Sequence, residues 1–402
     1  MLALAGCPQP PAIPAPGTLD DAFGTAGKTL TDVTGTDDEV YGLALQSNGR
    51  ILAAGFGLHG SSKYDLAVAR YLAGGSLDTS YGTGGKYILD IGSADDFSRA
   101  IVVQVDGMSV VAGRTGFDAL LVRLDADGVP DPLFDADGMV ISDFGGNEGW
   151  LGLALQDDGK LVAAGWAGPV GNSDFAVARF NTDGSPDTDF GTGGLVTLDI
   201  LGYNDLAYAV AIQSDDMIVV AGYGSDPDGN KEDVVARFDA DGNLDSAGFG
   251  TGGVMEWDIG ATSDDRARAL LLQTDGKIVI AGETTVAGPG TDMLTGFVAR
   301  FTSAGAPDAT FTGVVHALVM QPGGRILAVG KDEKSSPEAF GLYRFTTTGT
   351  LDAGFGSSGR SDTTFGSDDA EAHAVVLTPQ GRLVVGGNVN AADGDFALAR
   401  YW

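Results

Sequence analysis

Cationic side chains, cysteine and histidine are all scarce in this chain, and each scarcity removes a class of function. Lys and Arg number 23 against 55 Asp and Glu, giving a formal charge of −32 over 402 residues. Such a surface repels phosphate backbones and anionic headgroups, which proteins hold by displacing counterions with Lys and Arg, so nucleic-acid binding and direct electrostatic membrane binding are disfavoured. A single cysteine, Cys7, excludes an internal disulfide and any Cys-x-x-Cys metal site. The three histidines, His59, His316 and His373, are scattered without ligand spacing, so no joint histidine chemistry is expected. No run of about 18 apolar residues occurs, which leaves no candidate for a transmembrane helix. What the chain has in excess is glycine: 63 Gly with 43% hydrophobic and 19% charged residues describe a turn-rich folded chain.

The sequence repeats itself seven times. LQSNGRILAAG, VQVDGMSVVAG, LQDDGKLVAAG, IQSDDMIVVAG, LQTDGKIVIAG, MQPGGRILAVG and LTPQGRLVVGG each join a tight turn to an apolar run, closing on Gly55, Gly113, Gly165, Gly222, Gly282, Gly330 and Gly387. An alternating segment of the DLAVARY type then places Arg70, Arg123, Arg179, Arg237, Arg300, Arg344 and Arg400 in register. A loop of the LDxxFGxxG type supplies Asp20, Asp78, Asp131, Asp187, Asp245, Asp308 and Asp352. One unit reads as four strands: VYGLALQ, RILAAG, DLAVARY and a more polar GKYILDI. Four antiparallel strands at a period of about 56 residues, with no helix-period segment, predict an all-β, seven-bladed β-propeller. A parallel β-helix fits less well, because its coils are shorter and need no hairpins. Between PDATFTG and VVHALVMQ the fifth unit has no room for a fourth strand, so blade 5 is expected to lack its outer strand. GKTLTDV precedes the first unit and the last unit stops at DFALARYW, so the N-terminal strand is expected to complete the last blade and close the ring.

The combination LDxxFGxxG, GKxxxD, ALxLQxDGKIVVAG and DFALARY resembles the delta-60 repeat proteins, a bacterial β-propeller-like group of largely undefined role. The resemblance covers nearly all of residues 18–402; VPDPLFDADG in the second unit and the Gln-Pro-Gly-Gly turn in the sixth depart from it. It implies a propeller and transfers no catalytic residue.

Arginine and loop aspartate stand eight residues apart wherever both lie on the continuous chain, so the seven arginines and seven aspartates above are read as scaffolding: a cation entering a packed region needs a carboxylate. DADG at 125–128, 135–138 and 239–242, and DPDGNKED from Asp226, suit Ca2+ by their oxygen content, but glycine at the fourth position is turn chemistry. Asp37, Asp95, Asn147, Asn204, Asp264 and Asp369, with Thr312 in the truncated unit, precede the innermost strands. Carboxylates there could ring the channel mouth and hold Ca2+, which makes Asp37, Asp95, Asp264 and Asp369 metal candidates, with Asx-type turns as the plainer alternative. All but Asp369 and Thr312 are followed by a second acid: Asp38, Asp96, Glu148, Asp205 and Asp265. Trp150 and Trp166 share one end of blade 3, where they either stack on a flat ligand or fill a glycine-rich gap.

The segments from hairpin glycine to the next strand vary in length, as in 223–232 and 283–296, whereas the other hairpins do not. Recognition is therefore expected on that face, with Trp150, Trp166, Asp226, Asp228 and Asp233 as candidates. Leu4-Ala5-Gly6-Cys7 fits a lipobox with Cys7 as lipid attachment point, and PQPPAIPAPG reads as a tether, so residues 1–17 form a lipobox remnant and spacer and 18–402 the propeller. Six residues before Cys7 are too few for a complete signal, and an upstream start is expected. The expected protein is an acidic, monomeric lipoprotein of the cell envelope or a secreted product. It would serve as a non-enzymatic binding or scaffold module for a protein or polysaccharide of the envelope or medium, touching membrane only through its lipid. The alternative is a hydrolase or lyase acting on an extracellular polymer. A cluster of asymmetric polar residues in one pocket would favour the enzyme.

Overall fold

The computed structural model describes residues 13–59, 63–92, 94–259, 263–286, 293–312, 315–332, 335–390 and 394–402; the lipobox with Cys7 lies outside them. Among the described residues the chain forms seven four-stranded antiparallel sheets and no helix. Blade 1 shows the plan: Thr36–Leu45, Ile51–His59, Lys63–Tyr71 and Lys86–Leu89 are hydrogen-bonded in that order. Innermost strands of blades 2 to 7 are Asp96–Val103, Gly149–Leu155, Leu206–Ile212, Asp264–Leu272, Ala317–Met320 and Ala370–Leu377.

Side chains alternate across a strand, so a sheet buried on both faces must be apolar at every position. The second strand of blade 1 obeys this rule. Ile51 and Ala53 pack with Val384, Phe396 and Leu398 of blade 7, while Leu52 and Ala54 pack with Val111, Leu120 and Val122 of blade 2. Each fully buried Val or Leu contributes about 1.5–3 kcal/mol, and the core is seven such layers between neighbouring blades.

The ring is closed by its termini. Lys28–Thr31 pairs with Asp395–Tyr401 as the fourth strand of blade 7, setting Lys28 against Ala399 and Thr31 against Phe396. The fifth unit has no GKYILDI-type segment, as its shortness implies, yet its sheet keeps four strands. Pro307–Thr312 takes the outer position and pairs Phe297 with Thr312 and Arg300 with Ala309. Loop sequence is drawn out to cover an edge that would otherwise stand open. Thr312 therefore lies on this outer strand and not at the turn into the next blade.

All seven arginines meet their aspartates: Arg70–Asp78 at 2.9 Å, Arg123–Asp131 at 2.5 Å, Arg179–Asp187, Arg237–Asp245 and Arg300–Asp308 at 2.6 Å, Arg344–Asp352 at 3.0 Å and Arg400–Asp20 at 2.9 Å. Several aspartates take a second cation from the first hairpin, as Lys160 does for Asp187 and Arg325 for Asp352. Nη1 of Arg237 also donates to Ser303 O of the next blade, and the guanidinium covers the buried Phe249 ring. These arginines lock blades together and have no charge to spare for a ligand.

Candidate functional site

The opposite face opens into a cavity of about 880 Å³ on the ring axis. Its wall is built by a repeated backbone irregularity. In six blades the register of the innermost strand slips by one residue, between Val40 and Gly42, Ser98 and Ala100, Trp150 and Gly152, Ala207 and Ala209, Ala267 and Ala269, and Ala372 and Ala374. The extra residue of a β-bulge is unpaired and re-aimed. Here the extra residues are Tyr41, Arg99, Leu151, Tyr208, Arg268 and His373, and His316 stands at the equivalent place before Ala317–Met320; all seven line the cavity. One backbone position, repeated by architecture, thus presents seven side chains of unlike chemistry.

One side of this wall is a connected polar cluster. His316 Nε2 lies 2.9 Å from Glu371 Oε1, and the His316 and His373 rings meet edge to face with centroids 5.3 Å apart. Asn388 Nδ2 donates to Asn390 Oδ1 at 2.8 Å, so Asn388 Oδ1 faces His373 and accepts from its Nε2 at 2.9 Å. Tyr41 stacks on His373 at 4.7 Å and donates its hydroxyl to Glu39 Oε2 at 2.6 Å, and the Arg99 guanidinium lies over the Tyr41 ring at 3.9 Å. Arg114 covers Phe97 at 4.8 Å. Across the cavity Arg268 covers Tyr208 at 4.4 Å and shares Glu283 with Arg266.

Burial pushes His373 down to about 4, helped by His316, so its ring is neutral near pH 7. Burial raises Tyr41 to about 12 against the pull of Arg99, which keeps the phenol protonated. Burial also works against Glu371, yet the hydrogen bond from His316 holds its carboxyl down to about 2. A folded value for His373 below the ordinary 6.5 means that its contribution to stability is complete above about pH 6.5 and lost as pH falls towards 4. His373→Gln should therefore lose less melting temperature than wild type between about pH 7 and about pH 5. Carboxylates raised by burial, such as Asp205 at about 6, act with the opposite sign, so variant and wild type must be compared at each pH.

The family described as "Domain of unknown function (DUF5122) beta-propeller" matches residues 46–81, 104–134, 156–190, 213–247, 273–311 and 321–355, more than half of the chain. The chain belongs to this family. No curated protein matches the DUF5122 chain by sequence. Among solved structures it is similar to the polysaccharide lyase Uly1, at 11% identity and a TM-score of 0.54, covering 94% of this chain and 92% of that one. It is also similar to a polysaccharide lyase of a new family, an ulvan lyase solved bound to -[GlcA(1-4)Rha3S]-, at 10% identity and a TM-score of 0.53, covering 92% and 95%. At these identities the likeness is one of fold.

Several residues singled out from the sequence of this DUF5122 ring have other surroundings than expected. Trp150 is 1% exposed and packs edge to face on Phe144 and Phe180, while the Trp166 ring lies over Gly149, where a Cβ would come within 2.3 Å of it. Both border the cavity, but Trp150 is core. Asp233 is fully buried, and burial together with the nearby Asp265 pushes its carboxyl well above the usual range, so it is no part of an open ligand face. Asp226 is spent on its own turn, accepting from the backbone of Asp228 and Asn230, and Asp228 is exposed on that turn. The segments 223–232 and 283–296 are hairpin extensions rather than open loops, with Ser225 paired to Lys231 and Glu283 to Gly296; residues 287–292 lie outside the described residues.

The four metal candidates do not converge among the described residues. Asp95 and Asp369 accept backbone N–H groups of Tyr64 and Glu338, Asp264 pairs with Lys231 and Arg266, and Asp37 is exposed with a left-handed φ of 50°. Of the residues at this position, Asn147 and Asn204 reach the cavity wall. Of the three histidines, expected to be unrelated, His316 and His373 meet on the axis.

Proposed function

We propose that the axial cavity binds an acidic polysaccharide. The observation that carries this reading is the state of Arg99 and Arg114. In a chain of charge −32, two guanidinium groups face one cavity, each stacked on an aromatic ring, and neither forms an ion pair with a carboxylate among the described residues. Burial and Arg99 together lower Arg114 from its ordinary value, the mark of two like charges awaiting an anion. A planar fork suits a carboxylate or sulfate, and Tyr208 and Trp166 offer aromatic surface for sugars. The sugar acid in the ulvan lyase complex is a ligand of this class.

A second reading, cleavage by β-elimination, rests on the His316–Glu371–His373–Tyr41 cluster. A neutral imidazole and a protonated phenol side by side provide a base to take the proton beside a uronate carboxylate and an acid to protonate the departing glycosidic oxygen. Extracytoplasmic placement on a lipid tether at Cys7, and kinship with the delta-60 repeat proteins, belong to the same proposal and rest on the sequence motifs alone.

Calorimetry against a uronate-rich or sulfated glycan and against neutral dextran tests the binding reading. Wild type should bind the acidic polymer alone, and Arg99→Ala and Arg114→Ala should each weaken it by about 10- to 100-fold, the worth of a charge-assisted hydrogen bond. Equal binding of dextran, or unchanged binding in both variants, would refute it. Growth of ultraviolet absorbance from an unsaturated uronate end, lost in His373→Gln, would establish the elimination reading.

A further inference from the structure

A different group of side chains lies between consecutive blades. An aspartate near the start of a third strand, the aspartate after the outer strand of the same blade, and the acid at or just before the start of the next blade's innermost strand come together three times. They are Asp65, Asp90 and Asp96 between blades 1 and 2; Asp118, Asp143 and Glu148 between blades 2 and 3; and Asp174, Asp199 and Asp205 between blades 3 and 4. In each group one ligand oxygen from every member lies within 4.8 Å of the others. Asp90, Asp143 and Asp199 are exposed, whereas Asp96, Glu148 and Asp205 are fully buried.

Exposed acidic groups cluster without consequence on many surfaces; these contain buried oxygens that have no hydrogen-bond partner among the described residues. Glu148 Oε1 accepts the Gly146 N–H at 2.7 Å, but its buried Oε2 has no hydrogen-bond partner among the described residues. Oδ1 of Asp96 and Oδ1 of Asp174 are in the same condition. None of these three side chains is ion-paired to Lys or Arg among the described residues. A buried carboxylate oxygen without a donor is costly, and two more carboxylates beside it add repulsion. Burial accordingly raises Asp96, Glu148 and Asp174 above their ordinary values.

We propose that each of these three clusters binds a divalent hard cation, calcium by its all-oxygen donor set, and that the ion staples one blade to the next. Three carboxylates from two blades, with an open side for water and carbonyls, meet the needs of calcium better than those of zinc, which takes nitrogen and sulfur. The three clusters occupy three consecutive interfaces. Blades 5 and 6 have Thr295 and Ala339 where the third-strand acid stands in the other blades, so the interfaces that follow them lack one of the three carboxylates.

The test uses the full chain stripped of metal, titrated with calcium by calorimetry and melted with and without chelator. Three ions should bind, one per cluster, with affinities of the order of 10⁻⁴ M, and the melting temperature should rise with calcium. Glu148→Gln and Asp205→Asn should each remove one ion. Glu148→Gln should melt at or above wild type in chelator, since a neutral amide no longer repels its neighbours, and below wild type in calcium. A melting shift reproduced by sodium chloride, no calcium-dependent heat at about 10⁻³ M, or unchanged stoichiometry in both variants would overturn the proposal.

Discussion

Gly222→Ala is expected to cost about 3 kcal/mol or more of stability and to abolish binding in the axial cavity, although Gly222 touches no ligand. This glycine closes the second strand of its hairpin, and its φ lies outside the left-handed region, so conformational freedom is not what it supplies. The bulge in the innermost strand pushes the carbonyl of Leu206 against it: a Cβ would stand 1.9 Å from Leu206 O and 2.9 Å from Ala207 Cα. Both are backbone atoms, and neither can swing aside. The same contact recurs at Gly55, Gly113, Gly165, Gly282 and Gly387, where the distance to the facing carbonyl is 1.7 to 2.0 Å. A methyl group must therefore flatten the bulge, and with it the residue that the bulge aims at the axis, here Tyr208. Chemical denaturation gives the stability loss and glycan calorimetry the binding loss. Gly74→Ala is the control: its Cβ meets nothing within 4 Å, and its change should stay within about 0.5 kcal/mol. A Gly222→Ala protein as stable as that control would show that the bulge does not need the glycine.

The same glycine shows why the ring was legible in the sequence and the cavity was not. Whatever every blade needs for packing is written seven times: the hairpin glycine, the arginine, and the aspartate, which stands eight residues on in six of the seven. Repetition makes such residues conspicuous and marks them as scaffold. The cavity is made from the one column that refuses to repeat, five residues before the first-hairpin glutamine, or Thr378 in the last unit: Tyr41, Arg99, Leu151, Tyr208, Arg268, His316 and His373. Aligned by unit, that column would have shown two histidines, two arginines and two tyrosines converging on one point. Read along the chain, His316 and His373 are merely distant, and contact follows only because innermost strands of adjacent blades meet at the axis. The acids before those strands carry a smaller lesson. Neighbouring residues on an extended strand point to opposite sides, so Asp95 stands in solvent and accepts the Tyr64 N–H, while Asp96 is fully buried between blades. In the fifth unit, counting residues located the missing segment correctly, but an uncovered sheet edge drew the loop sequence into its place.

Deleting residues 18–34 should make the chain unfold earlier and less cooperatively, and self-associate. Three kinds of contact are lost together. The backbone of Asp395–Tyr401 loses its outer partner strand and becomes an open edge, which recruits other strands. Arg400 and Arg382 lose Asp20, and breaking one such low-exposure pair costs about 3–5 kcal/mol because a charge is left without its partner. Phe23, fully buried beneath Arg400, leaves a hole between blades 7 and 1, where it packs with Val40, Tyr71 and Phe396. The first and last blades are then held only by the packing of their three inner strands, such as Ile51 and Ala53 on Val384 and Leu398, while blades 2 to 5 keep every contact. Unfolding should accordingly begin at this seam, giving a broadened calorimetric transition, with light scattering reporting oligomers. A synthetic peptide of residues 13–34 added in trans should restore the sharp transition and abolish the added self-association, since an extended segment can add to an exposed edge. A truncated chain that melts with the full-length protein and does not self-associate would mean that the remaining strands of blades 1 and 7 close the ring unaided.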